Sequence, residues 1–198
     1  MQNLNYPLEL EFKISTLAND FRASDADGNL LAYVRQKMFK FKEEIQVYAD
    51  ESRTEEMFRI NANKWLDFNT AYTFTAADGS NVGRITRKGW ASLWKAHYEI
   101  LDEKDLPDLV LREKNAWVKV LDGLLSEIPI LGMFTGYLCN PSYIITRSDG
   151  TEVVILKKQP SFFGRKFSII KLDEFEAGED ARIVLGCMMM VLLERRRG

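Results

Sequence analysis

Apolar and polar positions alternate with period two along most of this chain, and the alternation stops only in the last segment. Residues 8–14, "LELEFKI", alternate cleanly, and "EMFRINA" (56–62) and "KWLDFNT" (64–70) do so approximately. Period two is the signature of a strand with one buried face. Three longer stretches share a common plan: "FRASDADGNLLAYVRQK" (Phe21–Lys37), "YTFTAADGSNVGRITRK" (Tyr72–Lys88) and "YIITRSDGTEVVILKKQ" (Tyr143–Gln159). In each, an aromatic residue stands six before the Asp of an Asp-Gly pair, and an aliphatic residue (Val34, Ile85 or Leu156) stands seven after it. Glycine supplies the positive φ of a hairpin turn, so two strands around Asp-Gly predict a hairpin. A third strand closes each unit at an Asp-Glu pair: Asp50-Glu51, Asp102-Glu103 and Asp173-Glu174. Each unit is thus expected to be a three-stranded antiparallel meander. The total approaches a dozen strands, which points to a barrel or sandwich.

Two regions read less simply. Across residues 105–126, Leu111, Val118, Leu121 and Leu125 follow a helical period, whereas "AWVKV" (116–120) reads as a strand; a strand followed by a turn is expected there. Pro129, Gly132, Gly136 and Pro141 then break any long helix. No stretch resembles a linker, so residues 1–198 are expected to form one domain.

The closing segment, "ARIVLGCMMMVLLERRRG" (181–198), has no charged residue between Ile183 and Leu193 and no polar face. As a helix those residues rise about 16 Å, against about 30 Å for a bilayer core. That is too short to span, and without a polar side the segment does not suit a membrane interface. A helix apolar all round belongs in a protein interior. Glu179 and Asp180 suit its positive end, Arg195, Arg196 and Arg197 its negative end, and Gly178 breaks the chain before it. Burying those side chains is worth about 15–30 kcal/mol gross, before the entropy of ordering them. The expected fold is therefore mainly β: a closed antiparallel β-barrel of about 12 strands around a central hydrophobic C-terminal α-helix, spanning about 179–195. Such a barrel is too wide for its own side chains to fill, and closure removes the sheet edges.

Composition narrows the function. The 198 residues are 46% hydrophobic, enough for a sizeable core, and the net charge of −2 provides no global field for nucleic acid. The N-terminus lacks a basic n-region and an apolar h-region, so no signal peptide and a cytoplasmic location are expected. Cys139 and Cys187 belong to no CxxC pair, and with one histidine, His97, the usual zinc spacings are excluded. His97 is expected on a strand as a structural or surface residue. Nucleotide-binding glycine motifs and the GxSxG elbow are missing, so no catalytic residue, cofactor or metal is assigned.

The Asp-Gly units with their following bases, the segment "FTGYLCNPSYIITRSDGTEVVILKK" and the tail "ARIVLGCMMMVLLERR" resemble the tubby C-terminal-like superfamily, most closely its LURP-one-related branch. The resemblance covers nearly the whole chain and implies a barrel of about twelve strands around a central helix. In that superfamily tubby domains bind phosphoinositide headgroups, scramblases are membrane proteins, and LURP-one-related proteins are linked to plant defence. The long cysteine- and proline-rich N-terminal region of scramblases is absent from this sequence, which argues against scrambling.

Basic residues interleaved with aromatics recur between the second and third strand of each unit. Arg35 and Lys37 precede Phe39 and Phe41, Arg87 and Lys88 precede Trp90 and Trp94, and Lys158 and Arg165 flank Phe162 and Phe163. Bases beside aromatics suit an anionic lipid or phosphorylated headgroup, with the protein peripheral at a membrane. The same bases also serve to solvate turns and protect sheet edges. A protein-interaction scaffold with no small ligand is the alternative: bases gathered on one face would favour the lipid reading, and bases scattered around the barrel the scaffold. Truncation after Gly178 is expected to give insoluble or unfolded protein; a soluble product with an unchanged melting curve would refute the central helix.

Overall fold

The computed structural model describes residues 4–13, 20–38, 43–63, 71–87, 97–114, 142–160 and 166–195. Twelve strands run in chain order: β1 (Leu8–Phe12), β2 (Phe21–Ser24), β3 (Leu30–Met38), β4 (Glu43–Tyr48), β5 (Glu56–Asn63), β6 (Ala71–Ala76), β7 (Asn81–Arg87), β8 (His97–Leu101), β9 (Pro107–Glu113), β10 (Ser142–Arg147), β11 (Glu152–Lys158) and β12 (Lys166–Lys171). Each pairs antiparallel with its chain neighbours, and β12 pairs with β1, so the sheet closes as a barrel. One helix, α1 (Glu179–Arg195), follows β12. The strand expected at 8–14 is β1, that at 56–62 is β5, and His97 opens β8. The expectations for 64–70, for "AWVKV" and for Cys139 fall outside the described residues.

The repeat has a direct structural meaning. The aromatic six before each Asp and the aliphatic residue seven after it are cross-strand partners: Phe21 with Val34, Tyr72 with Ile85, Tyr143 with Leu156. All six side chains are buried. Six against seven is unequal because each hairpin carries one extra residue in its second strand, where the register shifts between Ala23 and Ser24, Phe74 and Thr75, and Ile145 and Thr146. Without that bulge the aliphatic partner would face outward, since a one-residue slip flips a strand's faces.

The turns are alike too. Gly28, Gly79 and Gly150 have φ of 83°, 86° and 92°. Each donates its N–H to the carbonyl three residues back, on Asp25, Ala76 and Arg147. A type I turn closed by a glycine in the left-handed region gives this geometry. Side chains complete it: Asp78 accepts from the Ser80 N–H and Asp149 from the Thr151 N–H, while Asp25 accepts from Asp27 and Asn29. β2–β4, β6–β8 and β10–β12 are thus the three expected meanders, with β5, β9 and β1 between them.

The helix fills the barrel. From Ile183 to Leu192 its side chains are at most 1% exposed, apart from Gly186, which has none. They form one core with the inward residues of all twelve strands. Gly186 lies close against β8: a Cβ there would lie 2.8 Å from Ile100 Cδ1, the end of a side chain that would have to shift. Cys187 is fully buried, and that burial pushes its thiol pKa well up, as suits an inert apolar residue.

Gly83 marks the closest backbone approach. Its φ is 140°, and a Cβ would sit 2.4 Å from the Leu101 carbonyl oxygen and 2.9 Å from Arg182 Cδ. Gly83→Ala is expected to cost about 3 kcal/mol, because backbone rather than a flexible side chain must move. Gly79→Ala, at a similar sign of φ but with nothing within 4 Å, is expected to cost about 1 kcal/mol. Urea unfolding of the two variants against the parent measures both; equal losses would mean that the contact at Gly83 carries nothing.

Candidate functional site

Strand parity gives the barrel two chemically different rims. Even-numbered strands end, and odd-numbered strands begin, at the rim that holds the Asp-Gly turns; α1 enters there. Every turn at this rim carries a carboxylate, including Asp25, Asp50, Asp78, Asp102, Asp149 and Asp173. Most are held below the usual carboxylate range by hydrogen bonds from their own turns: Asp25 by Asn29, Asp78 by Ser80, Asp102 by the Leu106 N–H and Asp149 by the Thr151 N–H. The Asp-Glu pairs that close the three units lie here. Asp50 accepts from the Ser52 N–H, and Asp173 accepts from Arg147 at 2.7 Å. No group of three or more potential metal ligands occurs among the described residues.

Two arginines fasten the helix at this rim. Arg147, the last residue of β10, donates Nε and Nη2 to both oxygens of Glu179, at 2.8 and 2.7 Å. It also donates Nη1 to Asp173 and Nη2 to the Glu174 carbonyl. Glu179 is 2% exposed and accepts the Glu176 N–H as well. Its burial raises its pKa, but the Arg147 hydrogen bonds and charge outweigh that, and the net shift is downward. Arg182, in the first turn of α1, donates to Asp108 at 2.8 Å and to Glu103 at 3.2 Å. A base in a helix's first turn opposes the dipole, so these carboxylates are what hold it there.

The other rim is where β3, β7 and β11 end. Arg35 and Lys37 on β3, Arg87 on β7 and Lys158 on β11 therefore share one end of the barrel, as their common place in the repeat implied. Their strands stand four apart in the closed order, so these bases are spread about a third of the circumference from one another. They make a ring and not a patch. Arg35 alternates with inward Val34 and Gln36 and so lies on the outer wall, beside Tyr33 and Tyr48. It has no hydrogen bond or ion pair among the described residues. Arg87 pairs with inward Tyr98, and Lys158 with inward Phe167, which places both at the inner edge of the mouth. Lys37 pairs with Glu44 and is described in its backbone alone. Lys88, Arg165 and the neighbouring aromatics Phe39, Phe41, Trp90, Trp94, Phe162 and Phe163 fall outside the described residues. No helix among the described residues is long and apolar enough to cross a membrane.

The family model for LURP-one-related proteins matches residues 30–190, which takes in β3 through most of α1. The chain belongs to the LURP-one-related family. That family lies within the tubby-like superfamily, in keeping with the resemblance and with a twelve-stranded barrel around one helix. No curated protein and no solved structure gives a match.

Arg147 and Arg182 escaped the sequence reading. The available signal was position: Arg147 occupies the turn site held by Asp25 and Ala76 in the other two units, and Arg182 is the lone base at the head of an apolar segment. Arg147→Met is expected to cost about 3 kcal/mol at neutral pH, because it strands Glu179 without its cation. In the parent, the lowered pKa of Glu179 and Asp173 contributes stability above the unfolded carboxyl range, which is lost as pH falls through the native values. In the variant, burial without a partner raises the Glu179 pKa above its unfolded value, so that destabilisation is relieved as pH falls. The gap between the two proteins is therefore expected to shrink from pH 7 to pH 4 in urea unfolding; a constant gap would show that Glu179 is not the group involved.

Proposed function

We propose that this LURP-one-related barrel is a non-catalytic module that docks end-on against an anionic membrane surface, reading phospholipid or phosphoinositide headgroups with its basic rim on the cytoplasmic side. The observation that carries this reading is the common end of the barrel that the repeat-related bases share. Arg35, Arg87 and Lys158 stand on strands that end at one rim, while the carboxylate-bearing turns occupy the other. Arg147, Arg182 and Lys171 at the acidic rim are all engaged by carboxylates. A ring of bases is a poor clamp for one small ligand but a good match to a plane, because a flat surface meets all sides of a rim at once. Among the described residues, the side chains of α1 pack in one core with the inward residues of all twelve strands.

Lipid flotation tests this. The full chain is expected to float with vesicles of phosphatidylcholine containing about one-third phosphatidylserine, and not with phosphatidylcholine alone, at low salt. A base near a charged membrane contributes about 1 kcal/mol, so each of Arg35→Glu, Lys37→Glu and Lys158→Glu is expected to weaken partitioning at least about five-fold. Equal flotation with both vesicles, by a sample with an intact melting transition, would end the membrane reading and leave the protein-scaffold alternative.

A further inference from the structure

The three hairpin units are equivalent in backbone, yet the acidic rim treats them differently. In each unit the residue three places after the turn glycine is the bulged, apolar one: Leu31, Val82 and Val153. Over Val153 the chain lays its own segment leading into α1, and the Leu172 and Asp173 N–H groups both donate to the Val153 carbonyl, at 2.9 and 3.3 Å. Val153 is fully buried as a result. Beside Val82, the Arg182 side chain of α1 closes against Gly83. At the third position no turn or loop backbone N–H among the described residues donates to the Leu31 carbonyl. Leu31 instead lines an open cleft of about 510 Å³ with Leu4, Met57, Phe58 and Ala76. Leu4, Leu31, Met57 and Phe58 pack against the barrel core.

Carboxylates stand at the lip of this cleft. Glu55, Glu56 and Asp78 all line it. Glu56 is shared with Arg59 and Gln46, and one oxygen of Asp78 is taken by Ser80. Glu55 is exposed and has no side-chain hydrogen bond or ion pair among the described residues. Of the bases nearby in sequence, Arg59 is committed to Glu56 and Glu44, and Arg53 is exposed in the β4–β5 turn.

We propose that this cleft receives an extended segment of a partner protein, in which a bulky apolar residue is flanked by lysine or arginine. An apolar floor that opens from the core calls for an apolar anchor, and uncompensated carboxylates on the lip select for basic flanks. The volume falls within the range that binds small ligands and peptide side chains. The unit at Val153 shows how chain covers such a bulge, through successive backbone N–H donors to its carbonyl. The cleft lies at the rim opposite the basic ring, so it neither depends on the membrane reading nor competes with it.

The test uses the full chain and a fluorescent pentapeptide, Lys-Leu-Lys-Phe-Lys, followed by anisotropy at low salt. Saturable binding is expected, weakened at least ten-fold by Glu55→Lys with an unchanged melting temperature. A Lys-Ser-Lys-Ser-Lys control is expected to bind at least ten-fold more weakly than the apolar peptide. The proposal falls if the apolar peptide does not bind, if the serine peptide binds equally, or if Glu55→Lys leaves binding intact. It also falls if binding appears only once the first three residues are deleted, since the chain's own end would then be the occupant.

Discussion

A sheet closed through twelve strands encloses more space than its inward side chains can fill, and this molecule is organised around how that space is occupied. A single helix takes it. Because every direction around α1 meets another strand, no face of it is free to be polar, and its residues from Ile183 to Leu192 are buried accordingly. The hydrophobic gain is large but not directional. What fixes how deep the helix sits is polar: Arg147 grips Glu179 at its first residue, and Arg182 reaches out to Asp108 and Glu103. Apolar burial supplies the energy, and the ion pairs set the register.

One helix cannot serve three equivalent units equally. The repeat gives the barrel an approximate threefold symmetry, which the helix and the segment before it necessarily break. The same backbone positions then acquire different chemistry. The residue that accepts the turn glycine's N–H is Asp25 in one unit, Ala76 in the next and Arg147 in the third. The bulged residue is Met57 on β5 but Asp108 on β9. Where the helix passes, the position is charged and paired with it; where it does not, the position is apolar and lines the cleft.

The barrel was legible because its determinants are local and repeated. Six residues before and seven after each Asp define a cross-strand pair and its bulge, and three copies of that arithmetic leave little freedom. The helix was legible because an uncharged stretch too short to span a membrane has few other places to go. The ends of the helix were legible in part. Glu179 and Asp180 stood out as favourable to the dipole, but the deeper role of Glu179, as the buried partner of Arg147 from a strand 32 residues earlier, is a long-range pairing that no local pattern announces. The cleft was invisible for a similar reason: Leu4, Leu31, Phe58 and Ala76 come from distant parts of the chain, and each reads alone as an ordinary core residue. For the bases, the repeat gave their common end of the barrel. It could not say that Arg35 lies on the outer wall while Arg87 and Lys158 stand at the inner edge, because that depends on where each strand's pleat stops.

The division of charge follows from the same closure that demands the helix. In a continuous antiparallel barrel, alternate connections fall on alternate rims. Tight Asp-Gly turns and the Asp-led turns after β4 and β8 need carboxylates to accept their own backbone N–H groups, and all of them fall on one side. Acid accumulates there for reasons of turn geometry alone. Arg147, Arg182 and Lys171 answer part of that charge at the same rim, and the ends of β3, β7 and β11 hold other bases. Rotation about the barrel axis leaves a ring of bases facing a plane unchanged, so the end-on docking proposed above would need no single azimuth. The Arg147–Glu179 pairing lies at the opposite rim, where the end of β10 meets the start of α1.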